Sequence, residues 1–257
     1  MAVEPVQTAI ALAALLGFAT LVLGIRRIPQ PFMPAWSILR AAVQLAALSL
    51  ILSGIISELR WVAVALVVMF SAAVWTVSTR IGHTRRDVVV IAASLSLGAI
   101  VPLVTVFAAH AVEFSGRYLL AVGGIVIGGV MSIATLAGRH FNESLVSRAP
   151  EIEAWLSLGA TPRQAVRDIA THAVHHSLIP TMDQTRTTGL VALPGAFVGA
   201  IFGGASVIEA GVFQLVVLVS ILAAGVITAI VLTYGLSGIR VPEFRGSTEV
   251  PDVPSPS

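Results

Sequence analysis

No cysteine occurs anywhere in the chain, which removes disulfides, thiolate metal ligands and thiol nucleophiles from every reading of its function. Lysine is absent too, so all fifteen basic residues are arginine, set against thirteen acids. Charge itself is scarce. Only 11% of the 257 residues are charged and 56% are hydrophobic, where a soluble domain carries about 25% charged residues. With a mean hydropathy of +0.94, most of the surface must face lipid, and the fold class is an all-α polytopic membrane protein. A basic balance can point to nucleic acid, but these arginines stand at the ends of apolar runs. Membrane topology accounts for them, and no nucleic-acid partner is expected. Also missing are the phosphate loop GxxxxGK[ST] and the catalytic signatures HExxH and GxSxG. The chain is therefore not expected to hydrolyse ATP itself.

What is present is a series of apolar runs. A helix needs about 20 mainly apolar residues to cross a bilayer, and seven stretches approach this: Gln7 to Gly24, Ser37 to Ile56, Trp61 to Thr79, Asp87 to Ala109, Tyr118 to Gly138, Thr187 to Ala205 and Val212 to Leu236. The first is read as a retained span rather than a secretory signal, because Glu4 is the only charge before it and "IRR" follows in place of a cleavage site. Sidedness follows from the arginines. With the N-terminus outside, the inner side receives Arg26, Arg27, Arg40, Arg80, Arg85, Arg86, Arg139, Arg148, Arg163, Arg167, Arg186, Arg240 and Arg245, and only Arg60 and Arg117 lie outside. The expected topology is N-out, C-in, in the cell (plasma or inner) membrane. A membrane domain over residues 1–244 and a disordered cytoplasmic tail over 245–257, rich in Pro and Ser, complete the expected organisation.

One polar passage interrupts the hydrocarbon: "EIEAWLSLGATPRQAVRDIATHAVHHSLIP", residues 151 to 180. Pro150 suits the first helical position, and Glu151 and Glu153 set negative charge against the positive helix end. Ile152, Trp155 and Leu156 fall on one side. Gly159 then fits a left-handed helix terminus and Pro162 blocks continuation. In "TPRQ", Thr161 as N-cap, Pro162 at N1 and Gln164 at N3 make a capping box that relaunches a helix toward Ile179. The first helix has only about two turns, roughly 12 Å, which are not stable alone in water. It must dock, either in the headgroup layer or in a partner's groove.

Glu153, Ala154, Gly159 and Ile169 resemble, in identity and spacing, the cytoplasmic "EAA" loop of ABC-transporter permeases; Ala170, Thr171 and His172 stand where that loop has Leu-Pro after the Ile. The wider run "LIPTMDQTRTTGLVALPGAFVGAIFGGASVIEA", with "LGATPRQA" before it, resembles the UPF0014 family of small permeases, which takes in bacterial iron-export permeases and plant aluminium-tolerance proteins. Matching positions are Asp183, Thr185, Arg186, Thr187, Gly189, Leu190, Leu193, Pro194, Gly195 and Gly203 to Ser206, with "RAAVQL" at Arg40 to Leu45 and "GIVIGGVM" at Gly124 to Met131 upstream. Gly129 departs from the pattern, standing where the family has Asn. The resemblance implies that residues 150–165 are a coupling loop received by a separate ABC ATPase. Glu151, Glu153, Ala154, Trp155, Gly159, Thr161, Pro162, Arg163 and Gln164 would be its contact and shaping residues. It further implies two permeases with two ATPases, ATP and Mg held by the partner, no cofactor bound by this chain, and export of an iron-like metal ion.

The candidate substrate path uses polar residues inside the apolar part. Arg40 and Gln44 share a face of the second span. Arg40 either snorkels to the inner interface or faces a cavity, where Asp183 or an anionic substrate would meet it. Asp183 and Arg186, three apart, either pair locally or line the path. Pro194-Gly195 permits a broken helix, tolerated at membrane depth only where neighbours or a cavity satisfy the freed backbone. Met131 completes the set, with core packing as its alternative role. His172, His175 and His176 share a helix face but, without cysteine and with few acids nearby, form an incomplete metal site. Two other function classes stay open: an intramembrane enzyme built on these histidines and Asp183, and an ATP-independent channel or secondary transporter.

Overall fold

The computed structural model describes residues 5–27, 29, 32–55 and 58–238. The expected tail at 245–257, with Arg240 and Arg245, lies outside the described residues. Two compact units divide the chain after Glu58. The first holds α1 (Pro5–Ile25) and α2 (Met33–Ile55), which pack on each other. Its large side chains, such as Phe18, Trp36 and Val43, are exposed, as lipid-facing residues should be.

The second unit contains α3 (Leu59–Ile81), α4 (Arg85–Ala108), α5 (Gly116–Ser147), α6 (Ala149–Ser157), α7 (Pro162–Ala165), α8 (Arg167–Thr187), α9 (Gly195–Phe202) and α10 (Val207–Ser237). Serine and threonine start the long helices. Thr84 Oγ1 accepts the Asp87 N–H at 3.2 Å, Ser115 Oγ that of Tyr118 at 3.4 Å, and Ser206 Oγ that of Glu209 at 3.3 Å. The Glu209 carboxylate closes a capping box on the Ser206 N–H at 2.8 Å.

α10 is the hub, packed on α4, α5, α8 and α9. Glycines let the backbones approach. A Cβ on Gly98 would collide with Thr228 Oγ1 and stand 2.8 Å from the Ala224 carbonyl oxygen of α10; one on Gly235 would strike Val90 of α4. Gly225 of α10 likewise sits between Ile133 of α5 and Leu178 of α8.

Five described helices are long and apolar enough to cross a membrane: α1 over Val6–Ile25, α3, α4, α5 and α10. Their bounds track the sequence expectation, α5 extending nine residues beyond Gly138. The chain is a multi-pass helical membrane protein.

The stretch Thr187 to Ala205 departs from expectation, because it is not one helix. α8 ends at Thr187, the chain turns through Gly189 at φ +84° with Thr188 bridged to Ala192, and α9 is eight residues long. The helix that packs between α5 and α10 is instead the polar α8, through buried Ile169, Ala173, Ser177 and Leu178. It starts beside Arg148 and leads away from it, so Arg186 lies roughly 27 Å along the helix axis from Asp168 at 1.5 Å per residue. Arg186 therefore does not join Arg148, Arg163 and Arg167 at the end where the sequence count grouped it.

Candidate coupling element

α6 and α7 stand at one end of the second unit, where α5 ends and α8 begins. α6 starts one residue earlier than expected, with Pro150 still in its first turn. Ile152, 1% exposed, anchors it, and Leu156 one turn on packs against the same core. Trp155, expected with them, is instead half exposed at 50%, and Leu158 is 81% exposed. The docked stripe is thus Ile152 and Leu156, with Glu153, Ala154, Trp155 and Leu158 left outward.

The helix ends as the glycine predicts. Gly159 has φ +88°, its N–H donates to Leu156 O at 3.0 Å, and the Ala160 N–H donates to Trp155 O at 3.0 Å, which is a Schellman motif. Thr161 opens α7, and Gln164 Oε1 accepts from both the Thr161 N–H and its hydroxyl at 2.8 Å each. Nothing lies within 4 Å of a Cβ built on Gly159, so Gly159→Val should cost only the left-handed backbone, about 1–2 kcal/mol. Hydrogen exchange should rise over residues 149–165 while the buried helices keep their protection; unchanged exchange there contradicts this assignment.

Two arginines hold this peg. Arg148 binds Glu151 through Nε and Nη2 at 2.7 and 2.8 Å, and reaches Asp168 of α8 through Nη1 at 2.8 Å. The guanidinium holds the Glu151 and Asp168 carboxyls below their ordinary values, and they in turn raise its own. Because both carboxyls are depressed in the folded state, their contribution is present above their ordinary values of 4.5 and 3.8 and lost as pH falls through the folded ones. Protease sensitivity of the peg should therefore be flat from about pH 8 to 6 and rise only in acid. A rise already between pH 8 and 6 would show that another group controls docking. Arg163, the second arginine, reaches across the surface to α10: Nη1 donates to the Tyr234 hydroxyl at 3.1 Å, with Cζ 4.5 Å from the ring centroid. A groove of about 430 Å³ opens between the peg and α8, lined by Glu151, Trp155, Gln164, Arg167 and Asp168.

The expected substrate-path residues fall in both units. Arg40 and Gln44, exposed, belong to the first unit. Met131 packs against the hydrophobic core. Asp183 and Arg186 pair at 3.7 Å near the end of α8, and Pro194 is the N-cap of α9 beyond the break. Gly129 lies against α10, since a Cβ there would be 3.1 Å from Ile221 Cγ2.

The histidines gain a member the sequence reading missed. His140 of α5 lies 5.6 Å from His176, ring to ring, and His172 and His175 lie 6.3 and 5.7 Å from it. No group of three or more His, Cys, Asp or Glu among the described residues is arranged to hold a metal ion. Asp183 stands roughly 16 Å along α8 from His172, so the residues of the enzyme alternative do not share a site.

The family described as "Uncharacterised protein family (UPF0014)" matches residues 6–238. Similar proteins include the "UPF0014 membrane protein STAR2" of Oryza sativa subsp. japonica, 31% identical over 77% of this chain and 70% of that protein. "Protein ALUMINUM SENSITIVE 3" of Arabidopsis thaliana is 30% identical over 77% and 74%. The "Probable iron export permease protein FetB" of Escherichia coli strain K12 is 28% identical over 77% and 78%. No solved structure matches the chain.

Proposed function

The chain belongs to the UPF0014 family of membrane proteins, and from that premise we propose that it is the transmembrane subunit of an ABC transporter that exports a metal ion. A separate ATPase subunit grips α6 and α7 from the cytoplasm, and two permeases assemble with two ATPases. The observation that carries this reading is the peg itself. It is a helix of nine residues, stopped by a Schellman glycine and held at its base by Arg148, that presents Trp155 and Leu158 outward beside Glu153. A helix resting on headgroups would carry basic residues on its polar face. Here the acids Glu151 and Glu153 occupy it, which favours a protein groove.

ATP binding and hydrolysis in the partner would favour one facing state over the other, and the peg would carry that preference inward. The break between α8 and α9, with the Asp183–Arg186 pair before it, is the element suited to line the path, because irregular backbone at membrane depth belongs beside protein or a cavity. Metal as cargo rests on the name of the Escherichia coli relative, a probable iron export permease. The test is reconstitution in nanodiscs with the ABC ATPases of the same organism. One of them should bind the wild-type chain and hydrolyse ATP faster when ferrous iron is added. Binding by none of them rejects the coupling role; binding without stimulation by iron or another divalent metal rejects the metal cargo.

A further inference from the structure

The peg is fastened to α10 at one end of that helix, and the other end of α10 forms the wall of a cavity. At the first end, Arg163 donates to the Tyr234 hydroxyl and lies over its ring, and a Cβ on Gly238 would stand 3.3 Å from Arg163 Nη2, so α7 rests closely on the last turn of α10. At the second end, roughly 38 Å away by helical rise, Glu209 and Phe213 line a cavity of about 1060 Å³ together with Glu113, which precedes α5, and Arg117 and Tyr118 from its first turn. Tyr118 and Phe213 touch across it with ring centroids 5.6 Å apart. α10 joins two places that share no direct contact.

Polar side chains lie within the buried part of α10. Among the described residues three buried side-chain atoms lack a hydrogen-bond partner, and two of them, Gln214 Oε1 and Thr228 Oγ1, are on this helix. Gln214 is 6% exposed and Thr228 fully buried, with Thr228 Oγ1 set against the bare backbone of Gly98. The glycines along the α4–α10 contact bring the two backbones close.

We propose that Arg163 and Tyr234 are positioning residues that fix α10 to the peg, so that displacement of α6 and α7 moves α10 and thereby the cavity wall formed by Glu209 and Phe213. Only the identity of what displaces the peg rests on the coupling reading above.

Because the chain has no native cysteine, two can be introduced cleanly. Spin labels on Ala111→Cys and Ile208→Cys, both lining the cavity, report its width in nanodiscs holding the chain alone. Arg163→Met and Tyr234→Leu should shift or broaden the label distance by about 2 Å or more. Tyr234→Trp, which keeps an aromatic face for the guanidinium, should restore the wild-type distance, and Arg139→Met, on the exposed side of α5, should leave it unchanged. Identical distances in wild type, Arg163→Met and Tyr234→Leu overturn the proposal, as does a shift of equal size in Arg139→Met. With the ATPase and ATP added, Tyr234→Leu should still bind the partner but lose the ATP-driven change in distance. If the wild-type chain binds no ATPase, the coupling reading falls while the distances on the chain alone still decide the role of Arg163.

Discussion

Replacing Trp155 and Leu158 together by glutamate is expected to weaken binding of the ATPase subunit by about 100-fold or more, the size seen when interface anchors are lost. Both side chains lie outside the buried stripe of Ile152 and Leu156, at 50% and 81% exposure. The variant should therefore insert in the membrane and melt like the wild type. The contrast is Ile152→Asp, which removes the buried anchor beneath the same helix and places a charge in its core contact. That variant should lose binding together with order of the peg, visible as raised hydrogen exchange over residues 149–157. Wild-type affinity in the Trp155 and Leu158 double variant would show that the partner does not grip this surface.

The second large effect lies in the core. Gly98→Leu should lower the melting temperature by about 10 °C or prevent folding, because overpacking of about 3 kcal/mol is expected where backbone cannot yield. The obstruction at Gly98 includes the Ala224 carbonyl of the neighbouring helix as well as Thr228, so rotating one side chain does not relieve it. Gly128 supplies the internal control. It lies on α5 with nothing within 4 Å of an added Cβ, and Gly128→Ala should be neutral or stabilising by up to about 1 kcal/mol through helix propensity alone. Equal melting temperatures for the two variants would contradict the close α4–α10 crossing.

Five of the other apolar stretches could be read from sequence because lipid permits little else: a run of about 20 apolar residues has to satisfy its own backbone as helix. The peg was legible for a different reason, since Gly159, Thr161 and Pro162 each impose a local conformation whatever surrounds them. The stretch Thr187 to Ala205 misled because hydropathy sees composition only. Its polar neighbour α8 takes the protected position between α5 and α10, where helix neighbours replace lipid, and "TTG" and "LPG" break what looked continuous. Arg148 left a local trace, three residues before Glu151, whereas its bond to Asp168 did not. Nothing local announces Arg163 and Tyr234, which are 71 residues apart and meet only once α10 has returned to the end of the unit where it meets α7. The fourth histidine, His140, was invisible for the same reason.

The central claim, that this peg faces the cytoplasm and is gripped there, can be read from a single cysteine. Leu158→Cys, the only thiol in the molecule, should react with a membrane-impermeant maleimide in inside-out vesicles, stay unreacted in intact cells, and become protected when the ATPase subunit is bound. Labelling of intact cells from outside, or labelling of inside-out vesicles that bound ATPase does not diminish, would contradict the account.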